Sequence, residues 1–317
     1  MPTVLITGGT GLIGTALSQY LLNDGYDVIV LSRNPRETAA RHTVGSARNS
    51  FRSSGNIFYS RWDIENMTID ETAFREADYI VHLAGAGVAE KRWTEARKKE
   101  IVESRTRSSE LLIKYLSNHQ NKVKAVISAS AIGWYGPDKG KIFTEQDSAS
   151  GDFLGTTCVA WEKSIEPVTQ MGKRLVKLRA GIVLSNDGGA MVEFKRPIRL
   201  GLASVLGDGK QIVSWVHIDD VCRAYIYAIE NMTMQGVFNL VAPQPVSNEE
   251  LTLNLARKMK GKLFIRSKVP SSVLKLMLGE LSIEVLKSAN VSCKKLQDEG
   301  FVFQFPSLDA ALNDLIR

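Results

Sequence analysis

The fold turns on one stretch near the N-terminus, Thr3-Val4-Leu5-Ile6-Thr7-Gly8-Gly9-Thr10-Gly11-Leu12-Ile13-Gly14. A short apolar, β-branched run stops at glycines 8, 11 and 14. Apolar residues then recur at Ala16, Leu17, Tyr20 and Leu21, a helical spacing, before Gly25 and a second apolar run over 27–31. Strand, glycine turn, helix and strand make the βα unit of a parallel sheet. In that setting Gly8 permits a tight turn, Gly11 lets the backbone approach a pyrophosphate, and Gly14 allows close helix–strand packing. The helix start adds free N–H groups and partial positive charge. Gly8, Thr10, Gly11, Leu12, Ile13 and Gly14 are therefore the candidate phosphate site. A glycine spacing alone is a weak signal, and its place between a strand and a helix gives it weight.

The alternation continues, with strands expected over 56–59, 79–83, 124–130 and 175–184, a helix over 95–117 and part of a helix over 161–171. Continuous apolar runs mark strands covered on both faces. The predicted fold is α/β, a doubly wound parallel (Rossmann) sheet with a smaller C-terminal lobe. Residues 1–185 form the dinucleotide-binding domain, with 214–242 returning to it. Residues 186–213 and 243–317 form the lobe. Within these, 221–231 reads as a helix, 237–241 as a strand, and Ser247 as the cap of a helix to about 258.

Composition narrows the field. The chain has 317 residues, 44% apolar and 23% charged, which excludes disorder. No run approaches the roughly 18 apolar residues of a membrane span. Three widely spaced cysteines, Cys158, Cys222 and Cys293, build neither a disulfide framework nor a metal site. A cytoplasmic protein without a secretion signal is expected, a monomer or homodimer with a small-molecule substrate and neither nucleic-acid nor membrane partner.

The end of the second strand selects the cofactor. An NAD-binding chain usually places Asp or Glu there for the ribose 2′-hydroxyl. Here Ser32-Arg33 stand instead, and a guanidinium forks onto a 2′-phosphate that a carboxylate would repel. The expected cofactor is NADP(H).

Taken together, Thr7 to Gly14, Leu83-Ala84-Gly85, the segment 128–136 and Trp215 to Asp220 resemble the extended short-chain dehydrogenase/reductase superfamily. Arg92-Trp93-Thr94-Glu95-Ala96-Arg97, Ser104-Arg105, Asp152-Phe153-Leu154, Trp161-Glu162 and the tail motifs from Val269-Pro270 to Phe305-Pro306 resemble, more narrowly, its atypical epimerase-like subgroup, also labelled nucleotide-sugar-epimerase-like or cell-division-inhibitor-like. The resemblance spans the whole chain, with 35–55 a longer loop than in relatives. It implies cofactor contacts at Leu83, Ala84 and Gly85 and an adenine contact at Asp63.

The superfamily pairs a Ser/Thr with Tyr-x-x-x-Lys, whose Lys lowers the Tyr pKa for proton exchange. Ser130 stands at the Ser/Thr position, but Leu154 and Cys158 fall where Tyr and Lys belong. Three substitutes present themselves. Tyr135 either donates a phenolic proton or lines the cleft, and Cys158 offers a thiol or a small apolar group. An inward-facing Glu100–Arg105 pair would hold the cofactor or supply acid–base chemistry. Arg179 is expected to bond loop carbonyls, and His217 to pack the lobe on the sheet. Two functions compete: an NADP-dependent oxidoreductase or epimerase acting on a small polar, nucleotide-linked substrate, and a non-catalytic NADP(H)-binding sensor.

The net charge of +6 is unevenly spread. Segment 33–61 holds six Arg and one Glu, 91–107 seven basic residues and three Glu, and 257–268 six basic residues and no acid. A phosphorylated dinucleotide accounts for the first two. The third has no assignment.

Overall fold

Strand β1 (Thr3–Thr7) leads through the glycine turn into α1 (Leu12–Asn23) and β2 (Asp27–Ser32). The computed structural model describes residues 1–36, 55–138 and 140–316. Most of the expected long loop 35–55 and three of the arginines of segment 33–61 (Arg41, Arg48 and Arg52) lie outside the described residues. Next come β3 (Ile57–Asp63), β4 (Thr68–Ile69), α2 (Glu71–Glu76), β5 (Tyr79–His82), α3 (Glu95–Asn118), β6 (Ala125–Ala131) and α4 (Phe153–Ile165). The chain continues with β7 (Arg174–Ala180), β8 (Ile182–Leu184), α5 (Ala190–Arg199), β9 (Leu202–Leu206), β10 (Ile212–Val213) and β11 (Trp215–His217). It then forms α6 (Ile218–Glu230), β12 (Gly236–Leu240), β13 (Val246–Ser247), α7 (Asn248–Lys260) and β14 (Ile265–Val269). Short helices α8 (Ser271–Leu278), α9 (Ser282–Leu286), α10 (Lys294–Asp298) and α11 (Leu308–Leu315) finish it.

The main sheet has the order β12-β7-β6-β5-β1-β2-β3-β4, parallel throughout except for β4. Strand β1 lies between β2 and β5, where the winding direction reverses, so the glycine turn opens at the switch point of the sheet. Alternate residues face opposite layers: Val4 and Ile6 join α1 and α6 in one core, and Leu5 joins α2 and α3 in the other. A third core gathers β8, α5, α7 and α11.

Two expectations change. Helix α4, capped by the Asp152 carboxylate, which accepts from Gly155 N at 2.8 Å, stops at Ile165, so the later part of the helical stretch expected over 161–171 is a 3₁₀ helix, Glu166–Met171. The single strand expected over 175–184 is two. At Gly181 a Cβ would lie 2.5 Å from the Ser214 carbonyl oxygen, and the chain leaves β12 to pair with β11.

A buried polar chain ties the glycine turn to α3. Leu83 N and Ala84 N both donate to Thr7 Oγ1 at 3.2 Å, so the Thr7 hydroxyl gives its proton to His82 Nδ1 at 2.7 Å. His82 Nε2 then carries the ring proton toward Ser109 Oγ at 3.1 Å, and Ser109 donates to the Arg105 carbonyl at 2.9 Å. Burial keeps this ring neutral and pushes its pKa down to about 3. The unfolded chain therefore binds a proton near pH 6.5 that the native chain refuses, so stability falls as pH drops from there toward 3. Against a His82→Gln variant, urea unfolding of the wild type should show an extra slope of about 1.4 kcal/mol per pH unit over that window. Parallel pH curves would refute the neutral buried ring.

Candidate functional site

The turn after β1 is shaped by three different demands on its glycines. Gly8 has φ +70°, and a Cβ there would lie 2.8 Å from the Leu83 carbonyl. A Cβ on Gly14 would lie 2.4 Å from Gly8 O, so helix and turn pack in direct contact. On Gly11 a Cβ would meet only Gly8 O, at 3.3 Å. Its other side is open, and Gly11 caps α1 without a side-chain bond, leaving the first N–H groups of α1 to an external acceptor. Thr10 is exposed and Leu12 and Ile13 are half-buried beside this opening.

At the ends of β2 and β3 lies a cavity of about 450 Å³ lined by Arg33, Arg61, Asp63, Glu100, Ser104 and Arg107 among others. Register places Ser32 opposite Arg61, and Arg33, the residue after β2, lines the same cavity as Arg61. Neither has an ion pair among the described residues. The structure thus brings Arg33, Asp63 and Glu100 together, as the sequence suggests, and adds Arg61 and Arg107. Asp63 is committed to its own turn, accepting from Glu65 N and Asn66 N at 3.0 Å. Bonds from Asn66 hold its carboxyl below the usual range. Arg107 steadies that turn through the Ile64 carbonyl at 3.4 Å.

The expected Glu100–Arg105 pair does not form. Glu100 is exposed and accepts from Arg97 Nη1 at 2.7 Å, because five residues along a helix turn the two side chains to different faces. Arg105 points inward beneath the loop after β5. Its Nη1 donates to the Ala86 carbonyl at 3.0 Å and the Ile101 carbonyl at 2.8 Å, and its guanidinium lies 4.9 Å from the Trp161 ring. A Cβ on Gly85 would lie 3.0 Å from that guanidinium, so only glycine lets the loop after Leu83-Ala84 lie flat on it. Desolvation pulls Arg105 below its ordinary pKa, yet it has no ion pair among the described residues. Cys158 sits beside it, buried, donating to the Ala131 carbonyl at 3.7 Å, with its pKa pushed up by burial to about 12. Such a thiol is neutral and unreactive at neutral pH. Leu154 is packed against Gly133.

Ser130, at the end of β6, is at the centre of a second network. Its hydroxyl donates to Glu162 Oε1 at 2.7 Å. Arg179 grips the same carboxylate through Nε (2.7 Å) and Nη2 (3.1 Å). Arg179 therefore binds a carboxylate and not loop carbonyls. Tyr135 does not reach the cleft: it is fully buried and stacked on Phe143 at 4.9 Å. Its hydroxyl donates to Asn239 Oδ1 at 2.8 Å and accepts from Arg179 Nη1 at 3.1 Å. Burial pushes this phenol up to about 12, away from proton exchange at neutral pH. His217 caps α6 and packs on Phe305, a structural place.

Glu162 and Arg179 are the residues that sequence reasoning missed as a site. The signal was present, since Leu154, Cys158 and Glu162 are spaced by four along α4 and share its face. Arg179 lies directly opposite Ser130 across β6 and β7.

The model of the NAD dependent epimerase/dehydratase family matches residues 4–163 and 182–240, and a domain of unknown function, DUF1731, matches 269–315. An epimerase family protein of Staphylococcus saprophyticus is 34% identical over 318 residues, covering all of both chains. The crystal structure of the human epimerase family protein SDR39U1 with NADPH superposes with a TM-score of 0.84 at 28% identity, covering 99% of each chain. A nucleoside-diphosphate sugar epimerase of Corynebacterium glutamicum gives 0.74 at 29% identity, over all of this chain and 58% of that one. With its Rossmann sheet, glycine turn and full-length relatives, the chain belongs to the NAD-dependent epimerase/dehydratase family, in an atypical branch of the short-chain dehydrogenases/reductases.

Proposed function

We propose that this protein is an NADP(H)-dependent oxidoreductase or epimerase acting on a hydroxyl-bearing, nucleotide-linked small molecule, with the work of the missing Tyr and Lys shared among Ser130, Glu162 and Arg105. The observation that carries this reading is the 2.7 Å bond from Ser130 to the buried Glu162 carboxylate. The residues present fit the cofactor: the open side of Gly11 would admit a pyrophosphate, and Arg33 and Arg61 would hold a 2′-phosphate. The solved human relative, whose structure contains NADPH, supports the same choice. When bound, the cofactor accepts or gives the hydride.

With its proton held by Glu162, the Ser130 oxygen presents lone pairs to the cleft and accepts from a substrate hydroxyl. As that hydroxyl loses its proton, Ser130 takes it and passes its own to Glu162. Arg179 fixes the carboxylate in place. Arg105 supplies, from α3, a cationic charge where Cys158 stands in place of Lys on α4, and would hold the cofactor's ribose.

The loss of Tyr and Lys to Leu154 and Cys158 favours the second reading, cofactor binding without turnover, and the same experiments separate the two. Replacing Ser130 by Ala, which keeps the Glu162–Arg179 pair, should lower kcat by about 10²–10⁴-fold in a nucleotide-sugar screen with NADPH readout, with cofactor affinity unchanged. Unaltered turnover would remove Ser130 from the chemistry, and no turnover on any substrate despite NADPH binding would favour the sensor.

Cofactor choice has its own test. Arg33→Ala with Arg61→Ala should weaken NADPH binding by roughly 10²–10⁴-fold, at about 1.5–3 kcal/mol for each of the two charge-assisted bonds lost, and leave NADH binding nearly unchanged. Equal losses for both cofactors, measured by calorimetry, would refute the 2′-phosphate assignment.

A further inference from the structure

The basic segment 257–268 lies away from the cofactor site and meets a second basic segment in space. Helices α5 and α7 end side by side next to β9 and β14, whose register pairs Leu202 with Ile265. Two tight turns close this corner. Gly201 (φ +82°) and Gly261 (φ +62°) adopt left-handed backbone with open space around them. They hold Leu200 and Leu263 outward at 80% and 83% exposure, beside Ile265 at 67%. Arg199 and Lys262 adjoin Leu200 and Leu263 in the chain, Arg257 and Lys260 end α7, Lys268 lies on β14 with Ile265, and none of the five has an ion pair among the described residues. Arg257 and Lys260 lie in the last turn of α7, where a helix dipole favours cations, but Lys262 and Lys268 lie outside any helix.

We propose that this corner docks on an anionic lipid surface, seating Leu200, Leu263 and Ile265 among the acyl chains and the basic residues among the headgroups. Charge complementarity selects the occupant. A second copy would bring like charges together. The apolar tips are aliphatic and give a nucleic acid no exposed ring for base stacking. Two of them, Leu200 and Leu263, flank tight turns, and the third opens strand β14, a small aliphatic cluster that suits a fluid interface. Among the described residues no helix is long and apolar enough to cross a membrane, and the proposed attachment is peripheral.

Co-sedimentation with vesicles of three parts phosphatidylcholine to one part phosphatidylserine tests this. The full chain should bind these vesicles and not phosphatidylcholine alone, and binding should fade as salt rises. The double variant Lys260→Glu/Lys262→Glu should bind at least about tenfold more weakly, given the contribution of each basic residue near such a surface. Leu200→Ser/Leu263→Ser should also weaken binding while keeping every charge. NADPH thermal shifts of both variants should match the wild type, showing that the fold is intact. No binding to the anionic vesicles at low salt would overturn the proposal. So would binding that ignores the two leucines, or equal retention on duplex DNA or polyglutamate, which would mark a general polyanion patch or an acidic-protein site.

Discussion

A carboxylate at 5% exposure survives in a protein interior only if its charge is met, and Glu162 is met by Arg179 in a two-pronged grip. Much of the site is arranged by this pair. The Arg179 guanidinium lies 3.6 Å from the Trp134 ring and reaches on to Tyr135, which reaches Asn239 on β12. One ion pair thus spans α4, β7, β12 and the turn after β6, and Ser130 is oriented as its dependent. Losing Glu162 would strand the buried Arg179 charge, at a cost of about 3–5 kcal/mol, whereas Glu162 keeps a second cation in Lys177 at 3.8 Å. The pair is a means of fixing geometry more than a source of net stability.

The cleft is electrically asymmetric along its length. Exposed guanidinia, Arg33 and Arg61, stand at the β2–β3 end, and a desolvated one, Arg105, at the end near Ser130. Between them the start of α1 adds partial positive charge. Glu100 and Glu103 line the same cavity as the two exposed guanidinia, and the Glu162 carboxylate lies beside Ser130 at the other end.

The glycine turn and the βα alternation were legible because local geometry demands them. The conformation of Gly8 and the contact of Gly14 follow from a parallel strand meeting a helix. Arg33 was legible for the same reason, as the residue closing β2. Tyr135 was misread because sequence distance from Ser130 says nothing of the tight turn at 132–134, which carries the ring into the core beneath Phe143. Glu100 and Arg105 were misread as partners because both are charged and near, although their helical spacing points them apart. Glu162 was read as a motif residue and not as a functional one. Its importance comes from register across β6 and β7, which pairs Ser130 with Arg179 and which one sequence does not display.

The break at Gly181 has a consequence for how the molecule moves as a whole. Two residues before it, Arg179 is locked into the sheet, and one residue after it Ile182 belongs to the pairing with β11. Carbonyl oxygens from both systems hold this joint: Leu240 O receives Gly181 N at 3.0 Å and Ser214 O receives Ile182 N at 2.9 Å. A shift of the β8–β11 ribbon is therefore transmitted within a few ångströms to the residue that grips Glu162. The two pairing systems thus meet at a single glycine, two residues from the arginine that grips Glu162.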